Sequence, residues 1–218
     1  MSDYTDITIL LDRSCSMEFI KGAMEEGFNE FILKHREVPS TRISLVQFDT
    51  TNPEEVVYSA IPIGEAPKLN LVPRGGTPLL DALCRTIDST GRRLAAMPSK
   101  DRPRNVLFVI ITDGEENSSH TFKRTDVHSR VSKQTNDYNW EFIYIGANQD
   151  AFTEAASFGI PSLRAMNYVA NAYDTRDKFR SLTSNTVAYT VGGAAGQSVS
   201  SSLDWDDEQR KESTTDGK

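Results

Sequence analysis

The sequence is poor in cysteine, in histidine and in long apolar runs. Its 218 residues include two cysteines and three histidines. Two cysteines do not make a disulfide framework, and no apolar run approaches the roughly 20 residues that a membrane span needs. The first residues lack the basic and apolar blocks of a signal peptide. These absences predict a reduced, cytoplasmic protein without a membrane partner.

Positive charge is also in short supply. Lysine and arginine number 24 against 31 acidic residues, so the formal net charge is −7. A non-specific nucleic-acid binder needs a basic face that displaces counterions, and we therefore expect no nucleic-acid partner. The composition is otherwise that of a folding chain, with 38% hydrophobic and 25% charged residues. A chain of this length can form one domain with a sizeable core.

Short apolar runs alternate with longer segments of helical periodicity. The predicted strands are 6–11, 42–48, 56–63, 106–111, 140–145 and 162–166, and the predicted helices are 17–37, 78–94, 123–138, 150–158 and 174–182. This alternation predicts an α/β, doubly wound fold with a mostly parallel sheet and helices on both faces. No helix separates strands 42–48 and 56–63, so one of them should be an antiparallel edge strand. Strand 106–111 has no polar alternation, which is typical of a central strand.

The composition changes near residue 191. Glycine, alanine and serine dominate up to residue 202, and charged and polar residues follow. We therefore expect one domain over residues 1–185, followed at 186–218 by a flexible linker and a polar, acidic tail. In that tail, Asp204, Asp206 and Asp207 surround Trp205, so acidic groups lie beside an aromatic side chain.

Polar residues follow the predicted strands at three places. Asp12, Ser14 and Ser16 leave the first strand, and Asp113 leaves the apolar strand 106–111. Thr77 lies in a Gly-Gly-Thr-Pro loop, where we expect it to be a helix N-cap, a metal ligand or both. In a doubly wound sheet, ligands bind at the carboxyl ends of the strands, near the point where the strand order reverses. Two carboxylates and three hydroxyls could therefore meet at one site.

The predicted donors are all oxygen atoms, and none comes from histidine or cysteine. Such a hard set suits Mg²⁺, Mn²⁺ or Ca²⁺ and does not suit zinc or copper. The simpler interpretation is turn and helix-cap chemistry, in which serine and aspartate are common. That interpretation explains each segment by itself, but it gives no reason for three such segments at three strand ends.

The pattern Asp12-x-Ser14-x-Ser16, with Thr77 and Asp113-Gly114, resembles the metal-ion-dependent adhesion site of von Willebrand factor A (vWA) domains. The resemblance extends from about residue 6 to residue 182 and is greatest to stand-alone bacterial or phage members. It implies a Rossmann-like fold in which Ser14 and Ser16 bind the cation directly and Asp12 lies behind them and orients them. Cys15 stands where glycine is commoner in the family, at a position that provides no metal ligand.

Neutral hydroxyl ligands leave much of the charge of a divalent cation uncompensated. Such an ion favours an additional anionic oxygen, and helix N-termini after Ser16 and Thr77 would favour an anion at the same place. We therefore expect a metal-dependent protein–protein interaction module without enzymatic activity. Its partner would supply an Asp or Glu side chain to the ion.

Alternatives remain open at this stage. One is an Mg²⁺-dependent α/β phosphotransferase or hydrolase, although no lysine follows a strand end at a suitable place. Another is a subunit of an ATPase-linked machine, or a phage structural or host-interaction protein. Arg13 and Arg74 could draw a carboxylate toward the ion or could simply be solvated. The acidic tail could dock on its own metal site or on that of a second copy, and so support self-association.

Overall fold

The computed structural model describes residues 2–38, 40–147, 150–195 and 199–211. In these ranges, strands and helices alternate as predicted. The strands are β1 (Ser2–Asp12), β2 (Thr41–Phe48), β3 (Glu55–Pro62), β4 (Pro103–Thr112), β5 (Trp140–Ala147) and β6 (Ala165–Tyr168). The helices are α1 (Lys21–His35), α2 (Leu79–Ala95), α3 (Arg124–Tyr138), α4 (Ala151–Ser157) and α5 (Ala172–Ala194). Short 3₁₀ helices cover Cys15–Ile20, Ile63–Glu65, Ser99–Asp101, Ser162–Arg164 and Ser200–Leu203.

The six strands form one sheet in the order β3-β2-β1-β4-β5-β6. All neighbouring strands are parallel except β2 and β3, which are antiparallel. The predicted fold class is therefore confirmed, and β3 is the antiparallel edge strand. The order reverses between β1 and β4, so the carboxyl ends of these two strands flank the switch point of the sheet.

The sheet separates two hydrophobic layers. Helices α1 and α5 cover one face, and helices α2, α3 and α4 cover the other. Along β4, Leu107 and Val109 face the first layer, while Phe108 and Ile110 face the second, and all four are fully buried. This confirms the prediction that the apolar run is a central strand, because only a strand covered on both faces has no solvent side.

The predicted domain boundary at residue 185 falls inside helix α5, which continues to Ala194. The glycines after residue 191 indicated a linker, but Gly193 is part of the packing. A Cβ atom at Gly193 would lie 2.0 Å from Nδ2 of Asn105, so any larger residue would have to displace the Asn105 side chain. The predicted end of this helix at residue 182 is wrong, because the helix continues through buried residues such as Thr186 and Tyr189 to Ala194.

Residues 199–211 pack against the domain, so the predicted flexible tether is wrong for this segment. Leu203 and Trp205 are buried in the layer of α1 and α5. Asp204 pairs with Arg164, which also binds Glu141 near the start of β5 at 2.8 Å. Asp204 and Trp205 therefore dock near the amino-terminal ends of β5 and β6, away from the predicted metal site, while the carbonyls of Gln209 and Lys211 bind Lys178 of α5. Residues 196–198 and 212–218 of the predicted tail lie outside the described residues.

Both cysteines are free thiols, Cys15 at the surface and Cys84 in the core. Among the helices of the described ranges, none combines the length and the apolar character needed to cross a membrane.

Candidate metal centre

The first part of the site lies where β1 and β4 end side by side. Leu11 pairs with Ile111 in the sheet register, so Asp12 and Thr112 leave the sheet as neighbours. Asp12 is fully buried. Its Oδ1 accepts the backbone N–H of Ser14 at 2.7 Å, and its Oδ2 accepts the Thr112 hydroxyl at 2.7 Å. Asp12 thus holds the turn that begins at Ser14 and lies behind the two serines, where the vWA resemblance would place it.

A chain of hydrogen bonds then connects the two serines to Asp113. The Ser16 hydroxyl donates to Oδ1 of Asp113 at 2.7 Å, and the Ser14 and Ser16 oxygens are 3.0 Å apart. Because Ser16 gives its single proton to Asp113, Ser14 must be the donor between the two serines. Ser14 is buried, whereas Ser16 is exposed, so the chain leads from the interior to solvent.

The hydroxyl of Thr77, in the loop before α2, lies near the hydroxyl of Ser16. A Cβ atom at Gly114 would lie 3.5 Å from the Thr77 hydroxyl oxygen and 3.7 Å from the Ser16 hydroxyl oxygen. These two oxygens therefore face the same space above Gly114, a space that the glycine leaves open. The structure brings all five predicted residues together, with Asp12 beneath the other four.

Thr77 is not a helix cap, contrary to one of its two predicted roles. Helix α2 begins at Leu79, with Pro78 in the cap position. The free N–H groups of its first turn donate to side chains of the loop after β4: Leu80 to Glu116 at 2.9 Å, and Asp81 to Ser119 at 3.0 Å. These loop residues perform the capping, and the Thr77 hydroxyl is not needed for it.

The loop after β4 also holds Thr77 through its backbone. The Thr77 N–H donates to Oδ1 of Asn117 at 2.9 Å, and the Asn117 N–H donates to the Thr77 carbonyl at 3.2 Å. Sequence reasoning missed Asn117, Glu116 and Thr112. The one signal that could have indicated Thr112 is a hydroxyl residue at the end of an otherwise apolar strand.

Arg13 and Arg74 take neither of the roles considered for them. Arg13 is buried, and its guanidinium binds Asp49 at 2.5 Å and Glu55 at 2.6 Å. Arg74, at the edge of the same cluster, binds Asp49 at 2.9 Å and Glu55 at 3.3 Å. Both cations are thus neutralised within the cluster, and they cross-link the loops after β1 and β2 to the loop before α2. Gln47 completes the cluster by accepting from Arg13 at 3.2 Å.

The two metal-site loops are also joined by backbone hydrogen bonds. The Cys15 N–H donates to the Gly75 carbonyl at 3.1 Å, and the Arg74 N–H donates to the Arg13 carbonyl at 2.8 Å. Gly75 has a φ of +67°, which glycine adopts without strain, and this conformation lets the loop pass against Thr50. The hydroxyls of the two loops are therefore held in fixed relative positions.

Both carboxyl groups of the site are more easily protonated than usual. Burial raises the pKa of Asp12 to about 7, although hydrogen bonds from Thr112 and Ser14 favour its ionised form. Burial also raises the pKa of Asp113, against the hydrogen bond from Ser16. The carboxyl group of Asp49, beside Arg13 and Arg74, behaves differently. Burial favours its protonated form, but hydrogen bonds from Arg74 and Arg13 outweigh this effect and lower its pKa. Burial therefore disfavours the ionised form at Asp12 and Asp113, whereas the arginine partners favour it at Asp49.

These residues fit a hard divalent cation. They supply three hydroxyl oxygens and two carboxylates around an opening that Gly114 leaves free, and the exposed Ser16 makes the opening accessible. The described part of the chain holds no group of three or more His, Cys, Asp or Glu side chains arranged for a metal ion. A cation site here must therefore rely on the neutral hydroxyls.

Comparison with solved structures supports the fold. A von Willebrand factor type A protein from Catenulispora acidiphila matches 85% of this chain and 43% of its own, with 16% identity and a TM-score of 0.55. The ArnB paralog VWA2 from Sulfolobus acidocaldarius matches 84% of this chain and 45% of its own, with 14% identity and a TM-score of 0.53. Proximal thread matrix protein 1 from the mussel byssus matches 83% of this chain and 47% of its own, with 14% identity and a TM-score of 0.62.

The chain spans less than half the length of each of these proteins. No family model matches the sequence, and no curated protein matches it. At these identities the likeness concerns the fold, which is that of vWA domains.

Proposed function

We propose that this protein is a metal-dependent protein–protein interaction module, in which a divalent cation captures an Asp or Glu side chain of a partner. The observation that carries the proposal is the convergence of Ser14, Ser16 and Thr77 with Asp12 and Asp113 at the switch point of the sheet. Mg²⁺ is the proposed ion, with Mn²⁺ or Ca²⁺ as the other hard cations that such ligands accept.

The donor set explains why the ligand would be acidic. Three of the five side chains are neutral hydroxyls, and Asp12 already uses both of its oxygens for Ser14 and Thr112. A cation held mainly by such groups retains affinity for one more anionic oxygen. Ser16 lies at the surface, so that oxygen can come from another protein. The module would use no catalytic residue of its own.

The first test measures the binding of Mn²⁺, which can be followed by electron paramagnetic resonance as well as by calorimetry. Asp12→Ala and Thr77→Ala should each weaken Mn²⁺ binding by about tenfold or more, since each removes part of the site. Ser89→Ala is the matched control, because the Ser89 hydroxyl donates to the Thr86 carbonyl within α2, at 3.1 Å, away from the proposed site. Equal binding by wild type and Asp12→Ala would overturn the proposed metal site.

The second test addresses the acidic ligand. Acetate, compared with chloride at equal ionic strength, should tighten Mn²⁺ binding to the wild-type protein after correction for Mn²⁺–acetate pairing in solution. By linkage, Mn²⁺ must raise the affinity for acetate by the same factor. Metal binding without any acetate effect would retain the metal centre but overturn capture of a carboxylate.

A further inference from the structure

A groove separates the C-terminal halves of helices α2 and α3, at the opposite end of the sheet from the candidate metal centre. Its volume is about 590 Å³, within the roughly 300–1,000 Å³ that is usual for small-molecule sites. The two helices are parallel neighbours on one face of the sheet, and the groove opens where β4 and β5 begin. The Asp88–Arg130 ion pair, at 3.0 Å, links the two helices at the groove wall.

The floor of the groove is apolar. Trp140, Val106 and Leu94 line it, and each is exposed by less than a tenth of its surface. Pro103 continues this surface at the start of β4. The first three side chains are nearly dry, so they form a closed floor, and a flat aromatic or aliphatic group could lie above it beside the exposed Tyr138 ring at the groove edge.

The rim of the groove is cationic in a chain whose net charge is −7. Arg92 and Lys133 stand on opposite helices, both are exposed, and neither forms an ion pair with any residue in the described ranges. Arg102 adds a third positive charge, and its guanidinium donates to the Ala95 carbonyl at 2.9 Å. Asp137 is the one acidic rim residue outside the Asp88–Arg130 pair, so the charge around the opening remains positive.

Gly91 forms part of the wall in the middle of helix α2. A glycine in a helix interior costs about 1 kcal/mol relative to alanine. The nearest neighbour of a Cβ atom there would be the Gln134 side-chain amide, at 3.4 Å, so the helix packing itself does not require glycine. Lack of a side chain at this position does keep the groove open.

We infer that this groove binds a small organic anion that carries a flat apolar group, such as an aromatic carboxylate or sulfonate. The apolar part lies over the floor that includes the edge of Trp140, beside the exposed Tyr138 ring, and the anionic part lies between Arg92 and Lys133. This inference is independent of the proposed metal centre, because none of the groove residues belongs to that site.

The probe pair for the test is 1-anilinonaphthalene-8-sulfonate and the uncharged N-phenyl-1-naphthylamine, which is the same molecule without the sulfonate. The readout is the indole N–H resonance in ¹⁵N-labelled protein. The chain has two tryptophans, so two indole signals are expected, and Trp205→Phe identifies them. The sulfonate probe should shift the Trp140 signal and leave the Trp205 signal in place.

Two variants then separate shape from charge. Gly91→Leu fills the groove from a helical position and should abolish binding of both probes, while Gly91→Ala is the matched control that keeps binding. Arg92→Gln combined with Lys133→Gln should weaken the sulfonate probe by about tenfold, as expected for two partly exposed charge contacts. The same double variant should leave the neutral probe within about twofold.

Three outcomes would overturn the inference. A sulfonate probe that leaves the Trp140 signal unchanged, or that binds Gly91→Leu as well as wild type, does not occupy the groove. If the double variant weakened the binding of both probes equally, or left the affinity of both unchanged, charge would not select the ligand. A wild-type dimer that Gly91→Leu converts to a monomer in light scattering would assign the groove to a second copy of the chain.

Discussion

Asp49 is the residue on which the geometry of the two metal-site loops depends. Its buried carboxylate accepts from Arg13 and Arg74 through Oδ2, and from the N–H groups of Thr51 and Asn52 through Oδ1. Loops from β1, from β2 and from the segment before α2 meet at this one side chain. It touches none of the five proposed site residues, so its influence on a cation would be indirect.

The substitution Asp49→Asn tests whether this carboxylate holds the loops together. Asp49→Asn leaves the buried Arg13 cation with one fewer carboxylate, and the loss of one partner of a buried pair costs about 3 kcal/mol of unfolding free energy. Mn²⁺ affinity should also fall, because the serine and threonine loops are no longer held together. Denaturant unfolding and Mn²⁺ titration are the measurements. The control Asp3→Asn breaks the exposed Arg104–Asp3 pair and should cost less than about 1 kcal/mol.

His35 makes stability depend on pH. It is fully buried, and burial lowers its pKa from 6.5 to about 4, although the Phe31 carbonyl favours the charged form. That carbonyl can only accept, so Nδ1 carries the proton, and Nε2 lies 3.0 Å from the Thr186 hydroxyl, which also contacts the Leu182 carbonyl at 2.8 Å. Both ring nitrogens are therefore in polar contact, and the charged ring is penalised by loss of solvation.

The direction of this pH dependence follows from proton binding. Between pH 6.5 and about 4, the unfolded histidine takes up a proton and the folded one does not, so stability falls as the pH falls through this range. The full effect is about 3 kcal/mol. Asp12, with a pKa of about 7, acts with the opposite sign. The His35 part is therefore the difference between wild type and His35→Gln in denaturant unfolding across this range; parallel curves would contradict it.

At the scale of elements, β4 joins the core to the site. Phe108 is fully buried, and its ring packs against Phe142 with centroids 5.5 Å apart. Four residues later, Thr112 ends the strand and holds Asp12. The same strand thus fixes the sheet and delivers Thr112 and Asp113 to the switch point.

Truncation of Phe108 tests this position. Phe108→Ala should lower the free energy of unfolding by about 3–5 kcal/mol, since it removes a large buried ring from a core closed on both sides. Val57→Ala, on the half-exposed edge strand β3, should cost less than about 1 kcal/mol. Chemical denaturation of both variants is the measurement, and similar losses would mean that β4 is not the core of the sheet.

At the scale of the whole molecule, residues 199–211 belong to the domain. Besides the buried Leu203 and Trp205, the segment is held by Lys178 of α5, whose ammonium donates to the Gln209 carbonyl at 3.0 Å. Asp204 and Trp205, which sequence reasoning offered to the metal site, are engaged at the opposite edge of the sheet.

Truncation distinguishes this arrangement from a plug on the metal site. A chain that ends at Ser198 should unfold at a lower temperature and at lower denaturant concentration, because the contacts of Leu203 and Trp205 are lost. Its affinity for Mn²⁺ should not change. A chain that ends at Lys211 is the control and should keep the wild-type stability. Tighter metal or acetate binding in the shorter chain would instead support a plug.

The sequence by itself determined the fold class and the five proposed site residues. Burial periodicity is a local property, so the all-apolar strand at Val106–Ile111 could be recognised as central without knowing its neighbours. The spacing of Asp12, Ser14 and Ser16 is local as well. The position of Asp113 followed from the rule that parallel strands end at a common edge, and Thr77 was included because its Gly-Gly-Thr-Pro loop matches the vWA adhesion-site pattern.

Only the tertiary structure decided what holds those residues and where the chain ends pack. Arg13 and its partner Asp49 are 36 positions apart in the sequence, and Asp12 and its partner Thr112 are 100 positions apart. The composition of the C-terminal segment indicated a solvated tail. In the structure, Trp205 and Leu203 pack against core residues that are distant from them in the sequence. Local patterns record whether a side chain is buried, whereas the identity of its partner depends on the close approach of remote segments, which no local pattern encodes.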